Sequence, residues 1–186
     1  MSDFRQSTVG CHSYSRIMTP FLLPAEPPYV VRVDSPIGRI EVTSDGAAVT
    51  SLTIERDGRL PWDALPEKST KVLATASKQL REYFAGNRRS FDLPVSVAGT
   101  PFQESVWDQL VAIPFGEVVS YGELGRITGR ATAGRAVGGA VGANPIPLIV
   151  PCHRVLASDG RVTGYSAGAG IPTKLWLLDH EGIPHR

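Results

Sequence analysis

The first clear pattern of apolar and polar positions along the chain predicts a small antiparallel sheet. Three short β-branched runs are separated by the turn sequences Ser-Pro-Ile-Gly and Ser-Asp-Gly. They cover residues 29–33, 39–43 and 49–54. Apolar residues then recur at helical spacing over 67–84, so we expect a helix that ends near Gly86. Residues 91–97 are a candidate for a further strand.

A capping box marks the start of a helix in the second half of the chain. Thr100 is followed by Pro101 and Gln103, which places proline at the first helical position and predicts a helix over 101–113. The buried stripe of this helix is expected to hold Trp107, Leu110 and Val111.

Two shorter helices are predicted to follow, joined by a tight turn. Ser120 and Glu123 form a second capping box and open a helix that Gly129 ends. Thr132 can cap the next helix, over 132–144, and the pair resembles a helix-turn-helix. This last helix carries small residues that lower its propensity, which indicates close approach to a groove or to another helix. They are Gly138 and Gly139.

Together these elements predict an α+β fold in three parts. We expect an irregular tail or strap over 1–28, an α/β domain over 29–98 and a mainly helical domain over 99–186. The composition is that of a globular protein, and the net charge of +1 does not by itself indicate a nucleic-acid partner. The local balance is more basic, because 118–161 holds five arginines against two acidic residues.

The cysteines indicate a reducing compartment. Cys11 and Cys152 lie far apart, so we expect neither a disulfide framework nor a zinc site, although His12 adjoins Cys11. No apolar run reaches membrane-spanning length, and the first 28 residues lack a secretory signal pattern. We therefore expect a cytoplasmic protein, nucleoid-associated in a prokaryote or nuclear in a eukaryote, without membrane contact.

The residues with the clearest chemistry are Cys152 and His153, which follow an apolar run over 145–151. This run predicts a buried extended strand that ends in a rigidly held thiol. A free thiol has a pKa of about 8.5, so a nearby imidazole would raise its reactivity. On these residues alone, the thiol is either a nucleophile or a small buried hydrophobe beside a core histidine.

Several ordered motifs resemble those of the O6-alkylguanine-DNA alkyltransferases, also called methylated-DNA-protein-cysteine methyltransferases. Val-Pro-Cys-His-Arg-Val lies at 150–155, after Asn144-Pro145 and before Gly-Tyr-Ser at 164–166. Further similar segments lie at 115–121, 135–140, 174–178 and 181–182. The likeness is dense over 99–182 and holds only in outline before it. It implies an RNase H-like first domain and a second domain that carries the helix-turn-helix and the active-site cysteine.

The resemblance implies single-use repair of alkylated DNA without a diffusible cofactor. Cys152 would irreversibly accept the alkyl group of a flipped O6-alkylguanine, with weaker transfer from O4-alkylthymine. His153 would take the thiol proton through a water, and Glu181 would orient His153. Asn144 would hold the turn that leads into the active-site run.

The resemblance also assigns contacts with double-stranded DNA. Arg135 would fill the vacated base stack, and Tyr121 would rotate the flipped nucleotide. Further DNA contacts would come from Arg130, Gly138 and Ser158. Entry is through the minor groove, so sequence specificity should be weak. We expect a monomer, with cooperative loading along DNA as an alternative.

The implied substrate pocket draws on several segments. Its residues are Tyr121, Pro147, Val155, Tyr165, Ser166 and Lys174. The segment 165–173 is slightly longer than usual, and its small residues predict a rim that moves aside for a benzyl substituent packed on Pro147. The alternative is that the longer rim is a neutral surface insertion.

Two other functions fit parts of the sequence. A damage-recognition module would flip the base and recruit repair factors, but relatives of that kind have their nucleophile replaced, and Cys152 is present here. A thiol hydrolase would use Cys152 and His153, and would leave Arg135 and the paired helices without a role.

Overall fold

A computed structural model describes residues 26–130 and 133–186, which form an α+β fold. Its first part is an antiparallel sheet in the order β1-β2-β3, against which helix α1 packs. The elements are β1 (Tyr29–Val33), β2 (Ile40–Ser44), β3 (Val49–Ile54) and α1 (Lys71–Phe84). The predicted meander is confirmed, with β2 displaced by one residue. Most of the predicted tail over 1–28 lies outside the described residues.

Two boundaries in this first part differ from the prediction. Helix α1 begins at Lys71 rather than at residue 67, because Lys68 exchanges two backbone hydrogen bonds with Val30 of β1. The hydroxyl of Thr70 then caps the helix. The candidate strand over 91–97 is reduced to a single bridge between Val95 and Val49. Pro94 lacks the N–H that a longer ladder would need.

The second part holds four helices and a short parallel strand pair. They are α2 (Pro101–Val111), β4 (Val119–Ser120), α3 (Tyr121–Ile127), α4 (Gly134–Gly142), β5 (Val155–Leu156) and α5 (Ile171–His180). The capping box of Thr100 and Gln103 is present in both directions. The helix ends at Val111, before Pro114, and Val111 is exposed rather than part of the buried stripe.

Helices α3 and α4 form the expected helix-turn-helix. The Ser120 hydroxyl accepts from the backbone N–H of Glu123, and Gly129 takes a left-handed conformation just beyond α3. A Cβ on Gly125 would lie 3.0 Å from the carbonyl oxygen of Arg130, so glycine permits this close approach. Helix α4 is shorter than predicted, and the predicted cap Thr132 lies outside the described residues.

The run that leads to Cys152 is a turn rather than a strand. Leu148 is buried with a φ of 74°, and the N–H of Val150 reaches back to the carbonyl of Ile146. A left-handed leucine is strained, and the burial of its side chain in the core offsets this strain. The chain then enters a 3₁₀ turn over Cys152–Arg154, which places the thiol at the first residue of that turn.

The two parts share one hydrophobic core. A single cluster of buried residues runs from Val31 in β1 to Leu177 in α5. The backbone of Leu52 in β3 also donates to the carbonyl of Pro145, next to the active-site turn. None of the described helices is long and apolar enough to cross a membrane.

Candidate active site

The Cys152 thiol lies in a cavity of about 260 Å³ between α4 and the segment before α5. The cavity, called here the thiol pocket, is lined by Tyr121, Gly138, Val141, Gly142, Cys152, Gly164, Tyr165 and Ser166. The thiol itself is almost fully buried. Four predicted site residues therefore meet Cys152 in one cavity.

The surroundings of the thiol hold it protonated at rest. Burial raises the pKa of Cys152, while the side chains of Asn144 and Tyr165 and the ammonium of Lys174 oppose this shift. The Tyr165 hydroxyl lies beside the sulfur but makes no ordinary hydrogen bond with any residue of the described ranges. The thiol thus needs a base before it can act as a nucleophile.

The histidine that follows Cys152 in the 3₁₀ turn pairs with a carboxylate just after α5. The Nε2 atom of His153 lies 2.9 Å from Oε1 of Glu181, and both side chains are fully buried. Because Glu181 is ionised, Nε2 carries the proton and donates it, which leaves Nδ1 as an acceptor. Among the described residues, Nδ1 has no hydrogen-bond partner. His153 is therefore arranged as a base.

Glu181 is held by charge as well as by this histidine. Arg154 forms an ion pair with it and reaches both carboxylate oxygens, at 2.8 and 2.9 Å. The donors from His153 and Arg154 hold the pKa of Glu181 well below its usual range, against the opposing effect of burial. Burial in turn lowers the pKa of His153, so the imidazole is neutral near pH 7.

The side chain of Asn144 bridges the turn that leads to Cys152. Its amide donates to the carbonyl of Val150 at 2.7 Å and accepts from the N–H of Ile146 at 3.1 Å. These two hydrogen bonds close the turn between α4 and Cys152. The residue therefore fixes the backbone that presents the thiol.

Two predicted pocket residues lie behind the thiol pocket and do not line it. Lys174 is fully buried, and its ammonium donates to the carbonyls of Val155 and Gly164 at 2.6 and 3.3 Å. Burial lowers its pKa to about 8. The same ammonium lies 6.0 Å from the ring centre of Tyr121. Lys174 and Val155 thus form the support beneath Tyr121.

Pro147 and the rim also differ from the prediction. Pro147 lines a second cavity of about 310 Å³, which shares Gly142 and Ser166 with the thiol pocket. The Ser166 hydroxyl donates to the carbonyl of Gly142 at 2.9 Å between the two cavities. The rim is tied down as well, because Arg56 after β3 donates to the carbonyls of Gly168 and Ser166. A rim that moves freely aside is therefore not what the structure shows.

The predicted DNA-contacting residues are at the surface but are dispersed. Arg135 is exposed on α4, on the helix face that leads past Gly138 to the thiol pocket. Added Cβ atoms on Gly138 or Gly139 would meet nothing within 4 Å, so packing inside the chain does not require glycine there. The guanidinium of Arg130 covers the ring of Phe102, and Ser158 is exposed in a turn away from the pocket.

Two residues near the site were not singled out from the sequence. Tyr83 of α1 donates its hydroxyl to Glu181 at 2.7 Å, and Arg56 holds the rim. Helical spacing marks Tyr83 only as a core position, and no local signal links either residue to a partner about 100 positions away. The described residues contain no cluster of three or more His, Cys, Asp or Glu side chains that could bind a metal.

A buried thiol with a His-Glu pair beside a helix-turn-helix is the arrangement expected of a protein that uses a cysteine to act on DNA. Residues 101–183 match the family described as 6-O-methylguanine DNA methyltransferase, DNA binding domain. Residues 29–97 match its ribonuclease-like domain. The chain belongs to the 6-O-methylguanine DNA methyltransferase family.

Individual relatives agree with this assignment. The constitutive methylated-DNA–protein-cysteine methyltransferase of Bacillus subtilis is 38% identical over 162 residues, covering 85% of this chain and 98% of the relative. The crystal structure of the Mycobacterium tuberculosis O6-methylguanine methyltransferase has 40% identity and a TM-score of 0.73. The M. tuberculosis OGT in complex with DNA has 42% identity and a TM-score of 0.72. Both structures cover 82% of this chain, and this chain covers 92% of each.

Proposed function

We propose that this protein repairs alkylated DNA by moving the alkyl group from O6 of guanine to the sulfur of Cys152. The observation that carries the proposal is a buried thiol in the thiol pocket, followed in the chain by a histidine that is paired with a buried carboxylate. Relatives named methylated-DNA–protein-cysteine methyltransferase match most of the chain, which supports the same reaction. Weaker transfer from O4-alkylthymine is part of the proposal.

The transfer needs one proton relay and one substitution. His153 takes the thiol proton at Nδ1 through a water, and Glu181 stabilises the imidazolium that forms. The thiolate attacks the alkyl carbon while the carbon–O6 bond breaks and its electron pair stays on the guanine. The guanine then takes up a proton, which His153 returns through solvent. The thioether that forms at Cys152 is not cleaved by thiol reductants, so each protein molecule reacts once.

The DNA must deliver its base to a pocket that opens beside α4. We infer that Arg135 takes the place of the extruded base and that Tyr121 turns the nucleotide into the thiol pocket. The open space over Gly138 and Gly139 supports entry of α4 into the minor groove, where readout is weakly sequence-specific. One copy carries all of these groups, so a monomer suffices, and cooperative loading along DNA is a further possibility to test.

Intact-mass measurement after incubation with O6-methylguanine duplex tests this function. We expect one hydrogen to be replaced by one methyl group, on the peptide that contains Cys152. Cys152→Ala should bind the same duplex without gaining mass, whereas Cys11→Ala should react like the parent. Methyl on Cys11, or more than one methyl removed per protein molecule, would exclude the proposal. Hydrolysis of an ester by the parent would support a thiol hydrolase instead.

A further inference from the structure

Tyr83 connects the first domain to the carboxylate of the candidate active site. It lies in the last turn of α1 and is 1% exposed. Its hydroxyl donates to Oε1 of Glu181 at 2.7 Å, and its backbone carbonyl lies 2.8 Å from Nε2 of His180. One residue of the first domain therefore contacts two consecutive residues at the end of α5.

The carboxylate of Glu181 is crowded with donors. Its Oε1 accepts hydrogen bonds from Tyr83, His153 and one nitrogen of Arg154, at 2.7, 2.9 and 2.9 Å. Its Oε2 receives the other nitrogen of Arg154 and the backbone N–H of Gly116. Tyr83 is the only one of these donors that comes from the first domain, and it shares an oxygen with the histidine. Its strength as a donor therefore affects the bond to His153 directly.

We propose that Tyr83 is a positioning residue for alkyl transfer, which fixes the carboxylate of Glu181 and weakens its pull on the His153 proton. The inference rests on the proposed role of His153 as the base. The phenol draws electron density from the oxygen that faces the imidazole, so His153 stays neutral and able to accept the thiol proton. The first domain thereby contributes a group to the transfer machinery in addition to its packing.

Among the described residues, the charged and titratable groups around this pair come from α1, the 3₁₀ turn, α5 and the segment before α5, which holds Tyr165. Glu181 is faced by Tyr83 from α1 and by His153 and Arg154 from the 3₁₀ turn. The pKa of His153 also responds to Arg154 and, from α5, to Lys174, both of which oppose protonation. Removal of the phenol leaves all of these charges in place. It makes Glu181 a stronger acceptor, which raises the pKa of His153.

Tyr83→Phe tests the inference because it removes only the hydroxyl and keeps the ring among Phe84, Phe91 and Phe115. The single-turnover rate of methyl transfer from duplex is measured as a function of pH. The acid limb of the profile should move to higher pH by about one unit, a loss of about tenfold on the acid side, while the plateau stays within about threefold. The NMR titration of the His153 ring should show the same shift without DNA.

Two further variants separate the possible outcomes. Phe84→Leu is the packing control, since Phe84 packs on Tyr83 and Trp176 in the same aromatic cluster and has no polar group that could donate to Glu181. It should lower thermal stability without moving the pH midpoint. Equal midpoints for parent and Tyr83→Phe, in both the rate profile and the titration, would overturn the inference. If Glu181→Gln also transfers methyl like the parent, the proposed role of the His153-Glu181 pair fails as well. If only Glu181→Gln is impaired, that role stands and the inference about Tyr83 alone fails.

Discussion

Gly168 lies in the rim segment over 165–173, lines the second cavity and offers a test of how rigid this segment is. Its φ is 53°, and a Cβ built there would lie 2.6 Å from Oγ1 of Thr173 and 2.9 Å from Cγ2 of Ile54. The Thr173 hydroxyl is already engaged, because it accepts from the N–H of Ala169 at 3.0 Å. The substitution Gly168→Ala therefore combines an unfavourable backbone conformation with steric overlap against both domains.

The two costs can be separated with Gly160. Gly160 has a φ of 80°, and a Cβ there would meet nothing within 4 Å. Gly160→Ala should cost about 1 kcal/mol of unfolding free energy, since the left-handed conformation is disfavoured and the unfolded chain loses some entropy in compensation. Gly168→Ala should cost a further amount of about 1–3 kcal/mol, the usual range for an overpacked site.

Urea unfolding of the parent and both variants measures this difference. The rim also bears on the reaction, because Arg56 holds the carbonyl of Gly168 and the adjacent Ser166 lines the thiol pocket. Methyl transfer should therefore slow in Gly168→Ala and stay at the parent rate in Gly160→Ala. Equal loss of stability in the two variants would show that the rim yields to the added methyl group, and the argument for a fixed rim would be wrong.

Three other outcomes follow from the site. Arg135→Ala should slow repair of duplex far more than reaction with free O6-methylguanine, with Arg126→Ala as an exposed control on α3; equal losses on both substrates would leave Arg135 without a role in flipping. Glu181→Gln should lower the unfolding free energy, measured in urea at neutral pH, by about 3 kcal/mol or more. The pKa of Glu181 is lower in the folded than in the unfolded state. The difference in unfolding free energy between parent and variant should therefore be at its maximum above about pH 4.3 and should decrease only as the pH falls below that value. O6-Benzylguanine should inactivate the parent faster than Pro147→Ala if the second cavity receives the ring, and equal rates would rule that out.

The sequence predicts an element correctly where the hydrogen bonds that form it join residues close together in the chain. The capping boxes and the left-handed glycine mark helix starts and ends because their hydrogen bonds span only a few residues, as at Thr100 and Gly129. The strands were found for the same reason. The start of α1 was missed because Lys68 pairs with Val30, a contact that no local pattern reports.

In the candidate site, too, residues close together in the chain could be predicted, whereas contacts between distant residues could not. Cys152 and His153 are adjacent in the chain, and Glu181 was found only through the resemblance to a family. The resemblance to the family places Pro147 in the substrate pocket. The left-handed turn at Leu148, which periodicity does not signal, sends Pro147 to the neighbouring cavity. Tyr83 was assigned to the core, and only the tertiary fold shows that its hydroxyl reaches Glu181.

The burial of the thiol has a direct consequence for a protein that reacts once. Any electrophile that meets an ionised Cys152 before DNA does would consume the molecule, and burial prevents this by raising the pKa of the thiol. The same burial would block the reaction if no base were nearby, and the base that we propose is the neutral His153, whose Nδ1 has no hydrogen-bond partner among the described residues. The ammonium of Lys174 favours the thiolate once it forms. Reactivity therefore depends on proton removal inside the thiol pocket, where the alkyl carbon of a bound nucleotide is the nearest electrophile.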